Sequence, residues 1–305
     1  MKLTSKVLFF ILLILITFSS CRKNDDDGVI IVPERDRVEE ALAAKLEIEA
    51  FLQTHFYNYE DFQNPPAGFN FKIVFDTIAG VNANKIPLID QVTSKTVVDR
   101  VKTDLTYPLY VLNVIQGDGD SPIFADAALL SFKGQLLNRI TFDASDTPIR
   151  LDLTQVITGF QEGIVEFNGS TGFIENPDGT ITFENFGVGA VFIPSGIGYW
   201  LTPPPGSPIP VYSQLIFTFQ VYDVIKDIDH DLDGVPSFME DLNGNGILND
   251  DDTDADGIPN YLDTDDDGDG VLTIDEVIVN EDGTITFPDS NNNGTPDYLD
   301  ATFPG

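Results

Sequence analysis

Thr154-Gln-Val-Ile-Thr-Gly-Phe-Gln-Glu-Gly-Ile-Val165 is the stretch between residues 107 and 226 that reads as a helix. Val156, Phe160 and Ile164 recur every four positions and so share one helical face. Around it the pattern is β. Upstream, Leu109-Tyr-Val-Leu-Asn-Val-Ile115, Ala127–Phe132 and Asn138–Phe142 are short apolar runs, the first ended by the turn Gln116-Gly-Asp-Gly-Asp-Ser-Pro122. Downstream, Ala190–Ile193 and Gln214–Val221 are two more, with the stiff loop Pro203-Pro-Pro-Gly-Ser-Pro208 between them. One short helix among strands predicts an α+β domain over 107–226. Within it, Asn176-Pro-Asp-Gly-Thr-Ile-Thr-Phe183 predicts a hairpin closed by an Asp-Gly turn.

Working outward, Glu34–Tyr57 predicts a helix, with Val38, Leu42, Leu46, Ile48, Phe51 and Leu52 returning at roughly helical spacing. Phe69–Ile78 alternates as a strand, and residues 80–106 show no clear period. Residues 34–106 are therefore expected as an extension packed on the β-rich domain. Residues 1–20 read as a secretory leader: Lys2 and Lys6 precede the apolar run Val7–Ile16, which is short for a membrane span. Ser19, Ser20 and Cys21, the only cysteine, resemble a bacterial lipobox, with Phe18 standing where leucine is usual. That resemblance implies lipidation of Cys21 and a membrane anchor, with 21–33 as a tether. The acidic run Asp25-Asp-Asp27 is similar to the surface-export signal of Bacteroidetes lipoproteins. No second cysteine exists for a disulfide.

Beyond Lys226 the chain holds 23 Asp and Glu and not one Lys or Arg, out of a net charge of −34. A balance so acidic excludes nucleic-acid binding, because nothing neutralises phosphates. The acids recur in the pattern of a cation-binding loop: oxygen ligands at positions 1, 3 and 5, glycine at 6, an acid at 12. Five successive sets fit. They are Asp229, Asp231, Asp233 and Glu240; Asp241, Asn243, Asn245 and Asp252; Asp252, Asp254, Asp256 and Asp263; Asp265, Asp267, Asp269 and Glu276; Asp289, Asn291, Asn293 and Asp300. Carboxylates at this density repel one another, and hard oxygen ligands select calcium. Pro236, Pro259 and Pro296 follow the glycines closely and forbid flanking helices of EF-hand length. The repeat spacing resembles thrombospondin type 3 repeats, which implies structural calcium in an irregular segment, 227–305. His230 stands at a non-ligand position and is expected to be exposed.

The β-rich region resembles peptidyl-prolyl isomerases of the FK506-binding-protein (FKBP) type. The residues that carry the likeness are Leu130-Ser-Phe-Lys-Gly134, Ile140-Thr-Phe-Asp-Ala-Ser145, Pro148-Ile-Arg-Leu-Asp-Leu-Thr-Gln-Val-Ile157, Gly159-Phe-Gln-Glu-Gly163, Phe192-Ile-Pro-Ser195, Tyr199 and Ile209–Phe217. The resemblance implies an antiparallel sheet curled around one short helix. It implies a proline pocket walled by Phe132, Phe142, Ile149, Val156, Ile157, Phe160, Tyr199, Ile209 and Phe217. Within it Phe160 is the floor, Asp143 the acid near the twisting carbonyl, Tyr199 a hydroxyl donor and the Ile157 N–H a peptide anchor. Phe132 and Phe160 replace the family's usual Tyr and Trp, and Trp200 stands where glycine is common.

The amide before proline turns over a barrier of about 18–20 kcal/mol. Twisting it breaks resonance and reduces its charge separation, so an apolar pocket favours the twisted form without cofactor or nucleophile. The expected function is isomerisation of proline-containing polypeptides, assisting the folding of envelope or secreted proteins. The expected place is the cell envelope, as an outer-membrane lipoprotein facing the periplasm or the surface. The competing expectation is a calcium-dependent surface lipoprotein that binds peptides or adheres without turnover.

Overall fold

The computed structural model describes residues 33–303. The leader, Cys21 and all but the last residue of the tether lie outside them. In chain order the regular elements are α1 (Arg37–Thr54), β1 (His55–Tyr57), α2 (Tyr59–Gln63), β2 (Phe75–Thr77), β3 (Thr93–Val98), β4 (Thr106–Ile115), β5 (Ala127–Leu136), β6 (Thr141–Asp152), α3 (Thr158–Ile164), β7 (Gly172–Glu175), β8 (Ile181–Glu184), β9 (Gly187–Ile193) and β10 (Leu215–Ile225). Short 3-10 turns, α4 (Thr273–Glu276), β11 (Ile278–Val279) and β12 (Ile285–Thr286) complete the set.

Six strands form the main sheet in the order β3-β4-β9-β10-β5-β6. Every pairing in it is antiparallel. Residues Leu215–Val221 of β10 are buried at every position, because side chains alternate between two covered faces. Leu215, Phe217, Phe219 and Val221 join the core that holds Phe160 and Ile164 of α3. Ile216 joins a second core with Ile48, Phe51 and Leu52 of α1. Strands β4 and β9 divide in the same way, Leu109 and Val191 to the first core, Leu112 and Phe192 to the second.

Two glycines let α3 approach β9. A Cβ at Gly159 meets Ile193 Cγ2 at 2.4 Å, and one at Gly163 meets Val191 Cγ1 at 2.5 Å. Phe192 of β9, fully buried, packs its ring 5.9 Å from Phe51 and 5.7 Å from Phe75.

Several expectations are corrected. In α1, Val38, Leu42 and Leu46 are exposed, and Glu40, Ala41 and Ala44 face inward instead. Asp36 caps this helix through the N–H groups of Val38 and Glu39, and the chain turns extended at His55. The expected strand over 69–78 is reduced to Phe75–Thr77 by the left-handed backbone of Phe71, φ 56°. Arg139, φ 67°, turns the chain, so the third strand begins at Thr141 rather than at Asn138 and runs to Asp152. Val156 is extended, φ −106° and ψ 165°, and lies before the helix rather than on its face. Residues 93–98, without a clear period, supply an edge strand of the main sheet. The hairpin forms as expected, β7 pairing β8.

Truncating Phe192 to alanine is expected to cost about 3–5 kcal/mol, because it leaves a cavity between sheet and α1. Leu42→Ala, on the outer side of the same helix, is expected to stay within about 0.5 kcal/mol. Chemical denaturation of the two variants measures the contrast.

Candidate functional site

Strands β5, β6 and β10, α3 and the loop after β9 bring one aromatic cluster together. Phe160 and Phe217 pack with ring centroids 4.8 Å apart. Phe132 lies 6.2 Å from both. Phe142 meets Phe217 edge-on at 5.4 Å. Ile209 is buried in the same core, and Val156, Ile157 and Tyr199 pack against it half-buried. Of the nine expected wall residues, Ile149 alone stands apart: it pairs across strands with Leu130 but does not join the cluster.

Asp143 is exposed on β6, and Tyr199 is close enough to feel its charge. Burial first, and then the Asp143 carboxylate, raises the Tyr199 hydroxyl above its ordinary pKa. The phenol therefore stays protonated, and a donor, at neutral pH. Among the described residues the Ile157 N–H meets no acceptor, while its carbonyl accepts from Phe160 and Gln161. Trp200 is absent from the cluster. Its ring meets Tyr212 edge-on at 4.7 Å, with the Arg37 guanidinium 4.4 Å above it. Arg37 also holds the fully buried Asp99 at 2.6 Å. Burial alone pushes the Asp99 carboxyl up; the N–H groups of Lys102 and Val101, with Arg37 and Tyr107, outweigh it and hold the carboxyl below its ordinary value. A hollow of about 310 Å³ lies between Phe71–Val74 and strands β5, β6 and β10; Phe132 lines it, and Tyr199 and Asp143 do not.

The acidic segment forms five turns of one design. The sixth-position glycines, Gly234, Gly246, Gly257, Gly270 and Gly294, all have φ between 76° and 97°. Each donates its N–H to the acid at position 1, Asp229, Asp241, Asp252, Asp265 or Asp289. The next residue donates to the ligand at position 5 at 2.7 Å in every turn. Asp252, Asp254 and Asp256 converge, as do Asp265, Asp267 and Asp269, their carboxylate oxygens within 4.8 Å of one another. Asp263 and Glu276 border these two groups and are raised by burial and by the neighbouring acids, Glu276 to about 7.

In the first turn Asp231, Asp233 and Glu240 converge with Asp266, which was not among the expected ligands. Burial, then mutual repulsion, pushes Asp231 to about 8, Glu240 to about 10 and Asp266 to about 9; burial pushes Asp233 to about 6. Asp266 occupies the second position of its own loop, which the template does not count. Its only sequence signal is the run Asp265-Asp-Asp267. In the second turn Asn243 and Asn245 donate to Asp251 and Asp250, while Asp252, expected to close this loop, converges with Asp254 and Asp256. In the fifth, Asn291 and Asn293 both donate to Asp300 at 2.8 and 2.7 Å.

This segment packs on the sheet domain. Leu248 and Tyr261 form a small core with Ala125, flanked by Phe124 and Phe238. His230, expected to be exposed, is mostly covered: its Nε2 lies 3.0 Å from Asp152 Oδ2 and its Nδ1 2.8 Å from Ser237 Oγ. His55 stacks on Phe51 at 3.9 Å and is lowered by burial. No helix among the described residues is long and apolar enough to cross a membrane.

The family described as BamM C-terminal matches residues 230–288. No curated protein matches the chain. Among solved structures it is similar to a peptidyl-prolyl cis-trans isomerase from Pseudomonas syringae pv. tomato, at 12% identity and TM-score 0.36, covering 64% of this chain and 100% of that one. It is similar to FkpA from Escherichia coli at 24% identity and TM-score 0.32, over 43% of this chain and 51% of FkpA. The three FKBP domains of wheat FKBP73 match at 17% identity and TM-score 0.33, over 45% and 52%. The chain thus spans about half the length of each of these last two.

Replacing Arg37 by alanine strips the cation from the Trp200 ring and leaves Asp99 buried without its ion partner. A loss of about 3–5 kcal/mol is expected, with a shift in emission from the single tryptophan. Since the Asp99 carboxyl is depressed, wild type is expected to lose this margin as pH falls through its folded value. The variant's deficit against wild type then shrinks in acid, which urea denaturation across pH measures.

Proposed function

We propose that this chain is a peptidyl-prolyl cis-trans isomerase of the FKBP type, carried on a calcium-binding C-terminal segment and anchored through Cys21 in the cell envelope. The observation that carries the reading is the convergence of Phe132, Phe142, Phe160 and Phe217 with a Tyr199 hydroxyl that senses Asp143. A prolyl ring seated on Phe160 leaves water, and its amide loses less on twisting than on staying planar. Tyr199 donates to the substrate carbonyl and the Ile157 N–H holds the peptide backbone. Asp143 sets the field at the rim. The chemistry needs no cofactor, and the substrates are proline-containing polypeptides such as exported proteins whose folding waits on proline.

Calcium fits the acidic segment on the chemistry of its donors. Buried carboxylate oxygens of Asp231, Asp233, Glu240, Asp265, Asp266, Asp267, Asp269 and Glu276 have no hydrogen-bond partner. A bound divalent cation supplies the charge those oxygens lack, and its role is structural.

The isomerisation of a proline peptide by the full-length chain tests the first half. Acceleration is expected, with Tyr199→Phe slowing kcat/KM by about tenfold, the worth of one hydrogen bond of about 1.4 kcal/mol. A folded chain that gives no acceleration leaves the non-catalytic peptide binder, which the separation of Ile149 from the cluster favours. For the second half, a chelator is expected to expand the hydrodynamic radius, as repulsion among the acids opens residues 227–303. A radius indifferent to chelator rejects the calcium role.

A further inference from the structure

Asp266 does not belong to the loop that its neighbours build. Asp265 and Asp267 converge with Asp269, while the Asp266 carboxylate lies within 4.8 Å of Asp231, Asp233 and Glu240 of the first loop. The run lies in a tight turn, where the Gly268 N–H bonds back to the Asp265 carbonyl at 3.0 Å, and the turn sends Asp266 to one centre while Asp265 and Asp267 serve another. Asp233, Glu240 and Asp266 are each 1% exposed. Both carboxylate oxygens of Asp231, Glu240 and Asp266, and Oδ2 of Asp233, have no hydrogen-bond partner. Val235, Val277 and Tyr298 form an apolar core alongside, each buried. No Lys or Arg occurs in the sequence beyond Lys226. Four acids gathered largely out of water, with seven of their eight oxygens unpartnered, must either hold protons or hold a cation among them.

We propose that Asp266 is a ligand of the ion held by the first loop, so that one divalent cation clamps the first loop to the fourth. Four carboxylates offer up to eight oxygens, the number and kind that calcium takes. The second and fifth loops differ. Their asparagine amides donate to Asp250, Asp251 and Asp300, which leaves fewer oxygens without a partner than in the clamped centre, Asp251 Oδ2 among them, so they bind more weakly. The segment is then not a string of independent beads: the ion ties residues far apart in sequence, and its loss releases both loops together. This inference rests on the calcium reading of the segment.

The test is calcium titration calorimetry and thermal unfolding of the full-length chain, comparing wild type with Asp266→Asn, Glu240→Gln and, at an exposed acid outside every loop, Glu281→Gln. Wild type is expected to show a tight class of calcium binding. Asp266→Asn and Glu240→Gln are each expected to weaken that class at least tenfold, and Glu281→Gln to leave it in place. In chelator the sign reverses. Asp266→Asn is expected to melt above wild type, because it removes one of four crowded charges, and below wild type in saturating calcium. Unchanged tight binding in Asp266→Asn overturns the clamp. So does a melting temperature lowered equally with and without calcium, which marks a merely structural residue. A wild-type chain that takes up no calcium fails the underlying reading itself, and the clamp with it.

Discussion

The structure depends on a sheet that has no face to give to water. Strand β10 is buried on both sides through Leu215–Val221, with Leu215, Phe217, Phe219 and Val221 on one and Ile216, Thr218 and Gln220 on the other, so the main sheet has a cover on each. Helix α3 and the chain around it supply one, and α1 with the segment to Leu88 supplies the other. The close approach of α3 is what gathers Phe132, Phe160 and Phe217, and it is permitted by the missing side chains of Gly159 and Gly163. The aromatic cluster is thus a by-product of covering the sheet, and the extension before it is part of the same solution. Arg37, at the start of α1, reaches back to the loop carrying Tyr199 through the Trp200 ring, so the second cover also braces the rim of the first.

The acidic segment is governed by the opposite problem. It has little apolar area, and its order comes from turns that each use one glycine and two side-chain oxygens, carboxylate or amide, to hold backbone N–H groups. They leave the inward oxygens facing one another, and burial then raises their affinity for protons or for a cation. Protons and cations compete for the same oxygens in such a cage. Two small apolar contacts, Leu248 and Tyr261 against Ala125, and His230 against Asp152, seat the segment on the sheet domain.

Much of this was legible in the sequence where short-range patterns decide it. The apolar runs of β4, β5 and β10, the Asp-Gly hairpin and the five glycine-centred loops all follow from local chemistry. What was not legible depends on partners distant in the chain. Val38, Leu42 and Leu46 have helical spacing, yet the sheet takes the side with Ala41 and Ala44, because small residues let the helix lie close. Residues 93–98 carry no period, since an edge strand is covered on few sides, and they became a strand only when β4 offered a ladder. Asp266 is missed by the loop template, which counts positions within one turn and cannot see a neighbouring turn. His230 looked exposed for the same reason: its acceptor, Asp152, belongs to another part of the fold.

The passage from sheet to acidic segment is short, with β10 ending at Ile225 and the first loop opening at Asp229. The segment therefore hangs from an interior strand, bonded to β9 on one side and β5 on the other. Tension on the far end is carried along that strand and resisted by both ladders in shear. A pull on an edge such as β6 would instead unzip one ladder, bond by bond. The attachment point makes the sheet a mechanical anchor for whatever load the acidic arm transmits.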